Sequence, residues 1–426
     1  MSTPPAQSHA RLDAESPVSL SYDLIVEILS FSNVKSLMRM RCVCKSWRSI
    51  ISDPKFIKLH LKQSARNPYL TLSRNIDNIA DNGIPRPFDE KKVISFPMRR
   101  LILENPSILL PDNLRIECQD KECKYAIGSC NRLFCLIGYS YYPEEFWFRL
   151  WNPVIHTMSK KLGHFAATKN LRHIFGPYIS IHTYYKFAFV YDNSSETYKL
   201  VMLMLDVVEN KTHVRVLNVT DNVWKTISNF PAVPLPNIYT GQGGSDGVYL
   251  NGRLNWLAIQ DRPVSDDVDG WENIKANEFV VVSLDLGTKS YTQLMPPCGF
   301  DEMSSVKPPS LCILKDSLCF SHDVRRTELV IWQMKIIGVD ESWTQLLKIS
   351  YQILRTRYHA FDDLENCQLL PLHLSDHNDT LILANNQEQR AILYNLRNNT
   401  AKRTRIIHEI EWFFVKVYVE SLVSDI

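Results

Sequence analysis

The chain has 426 residues, 45% of them hydrophobic and 22% charged, which is ordinary for soluble globular proteins and long enough for two or three domains. Its net charge of +2 excludes a nucleic-acid binder driven by bulk basicity. No apolar run approaches the roughly 18 residues of a membrane helix; LVMLML (200–205) stops at Asp206, and MSTPPAQSHARLDAESPVS lacks the apolar centre of a secretory signal.

Ten cysteines without such a signal read as reduced thiols, not a disulfide framework, and the sequons at Asn193, Asn210, Asn218, Asn378 and Asn398 read as idle. The expected setting is the cytoplasm or nucleus. Charge is unevenly spread. Residues 1–75 carry 11 basic and 5 acidic side chains, a balance of +6, which leaves 37 basic and 41 acidic, or −4, for the remainder.

Residues 1–16, polar and rich in Pro, Ser and Ala, are expected to form a disordered tail. From Leu20 the pattern turns helical, with Leu24, Ile25, Ile28 and Leu29 at i, i+3, i+4 spacing and Asp23 near the start. Ser32-Asn33 breaks that helix. Val34, Leu37, Met40, Val43, Trp47, Ile50 and Ile51 continue the period as two short helices, and Asp53-Pro54 signals a new start. Residues 34–61 carry seven Lys and Arg against one Asp, a basic stripe on an amphipathic segment. A unit of about 45 residues cannot comfortably bury its own surface. Its apolar stripe must therefore dock on the rest of this chain or on another protein.

The stretch LSYDLIVEIL…VKSLMRMRCVCKSWRSIISDPKFIKLHL resembles the F-box, a three-helix unit, over residues 17–62. The resemblance implies that Leu20, Leu24, Ile28, Leu29, Val34, Leu37, Cys42, Val43 and Trp47 meet a small acidic Skp adaptor and, through it, a cullin–RING scaffold. An acidic partner also explains the basic stripe. Two features depart from the family: Ser21 stands where proline usually follows leucine, and Phe31-Ser32-Asn33 stands for Arg-Leu-Pro. Both departures predict a looser adaptor surface.

Residues 63–95 read as a connector and a first strand. From there to residue 426 the chain shows short apolar runs bounded by Gly, Pro, Asn and Asp, such as FWFRLW (146–151), KFAFVY (186–191), FVVVSLDL (279–286) and LVIWQM (329–334). A unit recurs in RLWNPVIHTMSKKL (149–162), RVLNVTDNVWKTIS (215–228), VSLDLGTKSYTQLM (282–295), a longer 329–349 and a ragged 391–406. This spacing suits four-stranded blades and predicts a large all-β domain, a β-propeller of about six blades. VYVESLV (417–423) is expected to join the first blade and close the ring; a β-sandwich is the alternative. SCNRLFCL (129–136), LWNP (150–153), GVYLNGRLNWLA (247–258) and ESWTQL (341–346) resemble the plant F-box-associated, kelch-like domain, the S-locus F-box type included. With the N-terminal motif, this implies a ubiquitin-ligase substrate receptor.

No chemistry of an enzyme is legible. The cysteines lack paired CxxC spacing, and Cys367, His373 and His377 form only a loose cluster. GQGGSDG (241–247) lacks the Lys-Ser/Thr of a phosphate loop, no Gly-x-Ser-x-Gly elbow occurs, and Asp266-Asp267 and Asp362-Asp363 sit in polar stretches. No catalytic residue, metal, cofactor, nucleic acid or membrane is expected. Target recognition is expected in GYSYYPEEF (138–146), QDRPVSDDVDGWENIKANE (260–278) and PPCGFDEMSS (296–305), with Tyr139, Tyr141, Tyr142 and Trp271 as aromatic anchors. Phe146 and Trp147 read as blade core. Two other readings stay open at this point: a scaffold whose helices pack on its own propeller, or a basic helix that binds a calmodulin-like protein or nucleic acid.

Overall fold

A computed structural model of the protein describes residues 20–64, 69–74, 92–105, 115–117, 123–131, 133–141, 144–153, 155–166, 185–206, 209–235, 247–260, 274–300, 308–325, 327–354, 368–375, 379–385, 390–405, 416–418 and 422. Four helices come first: α1 (Tyr22–Ser30), α2 (Val34–Met40), α3 (Lys45–Ser52) and α4 (Pro54–Ser64). The unit is thus four helices where the resemblance implies three. The chain breaks after Met40 because Cys44, in extended conformation, restarts the helix, its sulfur accepting from the Trp47 amide at 3.4 Å.

Among the described residues, twenty-six strands then form six antiparallel sheets. The first holds β1 (Tyr69–Arg74), β2 (Lys92–Pro97) and, after helix α5 (Met98–Glu104), β3 (Arg115–Glu117). The second holds β4 (Cys123–Cys130), β5 (Leu133–Tyr141), β6 (Glu144–Asn152) and β7 (Thr157–Met158), with β8 (Leu162–Ala166) also on β6. The third runs β9 (Tyr185–Asp192), β10 (Thr197–Asp206), β11 (Lys211–Asn218) and β12 (Val223–Thr226). The fourth combines β13 (Val233–Pro234) and β14 (Val248–Leu250) against β15 (Arg253–Ile259), followed by β16 (Phe279–Asp285) and β17 (Tyr291–Leu294). The fifth is β18 (Ser310–Leu314), β19 (Ser317–Val324), β20 (Glu328–Met334) and β21 (Trp343–Ser350), leading into α6 (Tyr351–Leu354). The sixth is β22 (Leu369–Leu374), β23 (Thr380–Asn385), β24 (Ile392–Asn395) and β25 (Thr400–Arg403).

The ring closes where β26 (Lys416–Tyr418) returns to pair with Tyr69–Thr71 of β1. The innermost strands β26, β4 and β9, and further round β18 and β22, neighbour one another. This is a six-bladed propeller whose first blade takes strands from both ends of the β region, a closure that leaves only short edges at the outer strands.

Its strands read as unbroken apolar runs because each blade is covered on both faces. In β16, Val280, Val282 and Leu284 pack toward the third blade, while Phe279 and Val281 pack toward the fifth. Three tryptophans lie flat against glycine backbone: a Cβ on Gly138, Gly247 or Gly299 would come within 2.3, 2.5 and 2.5 Å of Trp147, Trp256 and Trp332. The recurring unit is the outer hairpin of each blade, formed by the third and fourth strands. An Asn or Asp ends the third strand and accepts amides of the turn: Asn218 from Thr220, Asp285 from Gly287 and Thr288, Asn395 from Arg397 and Asn398.

Candidate functional site

Helix α1 carries two apolar stripes. One faces inward: Leu29 is buried together with Val34 and Leu37 of α2, Ile50 and Ile51 of α3, and Phe56 of α4. Leu20, Leu24, Ile28 and Phe31, at spacings of four, four and three, form the other, and they are 51, 48, 56 and 63% exposed. Tyr22 and Val43 are exposed as well, and so is Cys42 beside Val43. Trp47 is half-buried. Lys35 and Arg39 of α2 and Lys45 and Arg48 of α3 are exposed, and α1 itself carries the exposed acids Asp23 and Glu27.

The structure therefore divides the nine expected adaptor contacts. Leu20, Leu24, Ile28, Cys42 and Val43 reach the surface and Trp47 does so in part. Leu29, Val34 and Leu37, at 2, 0 and 0% exposure, are a correction: they hold the helices together and cannot touch a partner. A helix of this period presents both i+4 and i+5 neighbours, so spacing alone could not separate the stripes. Tyr22 and Phe31 were missed. Phe31 could have been found as the next turn of the Leu24–Ile28 stripe.

The helix starts do not depend on prolines. Ser21 Oγ accepts from the Leu24 amide at 3.3 Å, and Asn33 Oδ1 from the Ser36 amide at 2.8 Å. Buried His60 on α4 donates its Nε2 proton to the Ser32 carbonyl at 2.8 Å, since a carbonyl can only accept. The α1–α2 turn is fastened at the position that departs from the family.

Three contacts seat the helices on one rim of the propeller. Lys58 meets Glu196 in the β9–β10 hairpin at 2.8 Å, Ile155 of the β6–β7 turn packs on the helical core, and Leu422, beyond β26, is part of that core. They lie in a first-to-second hairpin, in a third-to-fourth hairpin and just past a first strand, which antiparallel pairing puts at one rim. Antiparallel pairing puts the β5–β6 and β15–β16 connections, and the passage from β17 to β18, at the opposite rim. All three expected recognition stretches therefore adjoin strand ends there, and in the first Tyr139 pairs with Phe146 and Tyr141 with Glu144. The side chains of Tyr139 and Tyr141, and all of Tyr142 and Trp271, lie outside the described residues. Phe146 and Trp147 are blade core, at 7 and 5% exposure.

Among the described residues, Asp206, Glu209 and His213 on the β10–β11 hairpin bring three metal-capable atoms within 4.8 Å. His213 Nε2 lies 3.9 and 3.7 Å from the Asp206 and Glu209 carboxylates, and the Lys211 ammonium lies 3.7 Å from Glu209. Cys367 and His377 lie outside the described residues. A hollow of about 120 Å³ between the third and fourth blades is lined by Lys199, Lys225, Lys289 and Asp285 among others. Lys199 is committed to buried Asp192 at 2.5 Å, and Asp285 to Arg253 at 3.2 Å.

Residues 89–424 match the F-box associated beta propeller domain, and residues 18–59 the F-box domain. The chain belongs to the F-box-associated β-propeller family. Among its relatives, an F-box/kelch-repeat protein of Arabidopsis thaliana is 24% identical over 344 residues, covering 78% of this chain and 80% of that one. An F-box protein of the same plant is 26% identical over 377 residues, covering 83 and 75%. Among solved structures, the β-propeller domain of the Trilobed protease from Pyrococcus furiosus is 9% identical with a TM-score of 0.36, covering 74% of each chain. The four-helix unit is thus an F-box and the ring its associated propeller.

Proposed function

We propose that the protein is the substrate-recognition subunit of a Skp–cullin–F-box ubiquitin ligase in the cytoplasm or nucleus, with no catalytic site of its own. The F-box docks a Skp-type adaptor, and the propeller holds a target protein for ubiquitination and proteasomal turnover. The observation that carries this reading is the exposure of Leu20, Leu24, Ile28, Phe31 and Val43. Exposed apolar residues on α1 and at Val43, with exposed Lys and Arg on α2 and α3, fit a protein partner that offers apolar contact and acidic groups. Target binding belongs at the opposite rim, with Tyr139, Tyr141, Tyr142 and Trp271 as anchors. A fixed span between the two rims would raise the effective concentration of target lysines near a recruited enzyme.

The scaffold reading, with helices packed on their own propeller, accounts for the inward stripe alone. Leu422 and Ile155 meet that stripe and leave the outward one uncovered.

Co-assembly of the purified full chain with a recombinant Skp adaptor tests the proposal. Binding is expected to survive 0.5 M salt, because apolar contacts resist screening that weakens phosphate binding. The pair Ile28→Asp and Val43→Asp is expected to abolish it with the propeller intact. Undetectable binding of the unaltered chain refutes the docking role.

A further inference from the structure

We propose that Leu422 is a clasp that makes an ordered F-box conditional on a closed propeller. Leu422 is 4% exposed and belongs to the helical core with Leu29, Val34, Leu37, Ile50, Ile51 and Phe56. Four positions earlier, Tyr418 pairs with Tyr69 as β26 closes the ring on β1. Four residues span at most about 14 Å. A seated β26 therefore holds Leu422 within reach of the helices, and opening the ring releases that hold. Blade one is tied to the F-box twice, by the passage from α4 into β1 and by Leu422.

The coupling runs in a useful direction. Leu422 covers the inward stripe of the same helices whose other stripe faces outward. Without it, the helical core loses one of its seven buried apolar members, and the outward face rests on a helical unit too small to be stable alone. All six blades lie between the F-box helices and Leu422 in sequence. A chain with an unfinished or misfolded propeller therefore lacks the residue that completes its F-box. On the adaptor-docking reading above, such a chain does not enter a ligase as a receptor that cannot hold a target. Leu422 is a positioning residue: it acts through the helices and touches no partner.

The clasp is tested on the full chain by hydrogen exchange. Leu422→Asp and Leu422→Ala are expected to speed exchange in α1–α3 at least tenfold while β10, β16 and β20 keep their protection, and Leu422→Met is expected to restore it. The paired change Lys416→Pro and Val417→Pro leaves Leu422 in place but opens the ring. Successive strand residues point their amides to opposite sides, so one proline must remove a bond to β1. It is expected to loosen the same helices. Helices that stay protected in Leu422→Asp, or in the proline pair, overturn the clasp. A parallel titration with a Skp adaptor is expected to show at least tenfold weaker binding for Leu422→Asp and recovery for Leu422→Met. An unaltered chain that binds no adaptor overturns the docking reading alone, and the exchange result still decides the clasp.

Discussion

The Lys58 ammonium lies 2.8 Å from the Glu196 carboxylate and joins the last helix of the F-box to the inner hairpin of the third blade. Their hydrogen bond raises the pKa of Lys58 and lowers that of Glu196, so each favours the charge on the other. Both side chains are about two-thirds exposed, at 67 and 68%, where water and salt screen the attraction. Lys58→Ala is expected to leave the thermal midpoint and adaptor affinity unchanged. A marked loss of either would give the pair a larger part in seating the helices than its exposure allows.

The two stripes of α1 separate stability from binding. Leu37→Ala, at a fully buried position, is expected to cost about 2–5 kcal/mol and to unfold the F-box selectively, seen as loss of exchange protection in the helices. Ile28→Ala, at an exposed position, should change stability by no more than about 0.5 kcal/mol while weakening the adaptor complex. Trp47 is half-buried, so Trp47→Ala is expected to cost less than the roughly 3–5 kcal/mol of a fully buried ring. Equal effects of the Leu37 and Ile28 changes on stability would contradict the division.

Asp192 closes β9 and accepts hydrogen bonds from Lys199, Ser194 and Ser195. Burial pushes its pKa up, but those bonds outweigh burial and hold the carboxyl well below its ordinary 3.8. With the folded pKa depressed, the contribution is fully present above pH 3.8 and is lost as pH falls through the lower folded value. Asp192→Asn leaves the ammonium of Lys199, 14% exposed, without its carboxylate and is expected to cost about 3–5 kcal/mol at pH 7. The deficit should shrink below pH 3.8. Denaturant titrations of both proteins across pH 2–7 would show a constant gap if the ion pair were irrelevant.

His322 in β19 is 3% exposed and accepts the Trp332 indole proton at Nε2, 3.1 Å away. Burial lowers its pKa below 6.5, against the opposing influence of Asp323. The unfolded chain therefore takes up the proton first as pH falls, and the fifth blade loses stability from about pH 6.5 downward until the folded imidazole also titrates. His322→Gln keeps an acceptor for Trp332 and is expected to flatten that slope in thermal melts between pH 5 and 7. An unchanged slope would assign the pH dependence to other groups.

Much of the ring was legible in the sequence. The recurring unit at 149–162, 215–228, 282–295, 329–349 and 391–406 falls on the outer hairpins of blades two to six, and in blades three, four and six the third-to-fourth turn uses the same Asn or Asp chemistry. The closing strand was also legible, as 417–423 against the observed Lys416–Tyr418. Helix α5 was not: PMRRLILE follows a strand without a turn signal, and its N-cap Pro97 makes no side-chain hydrogen bond. The division of labour within the F-box was invisible for a different reason. Leu24, Ile28 and Leu29 are chemically alike, and only the position of the other helices decides which of them is covered.

Local chemistry decided that the N-terminal segment would be helical, where its helices start, and that the following chain would be strands joined by Asn- and Asp-fastened turns. These depend on neighbours in sequence, through periodicity, capping and turn hydrogen bonds. Tertiary structure alone decided which rim carries the helices and which apolar stripe stays bare. It also decided that Leu422 completes a core begun at Leu29. Those outcomes depend on residues brought together by ring closure, and no local pattern encodes that distance.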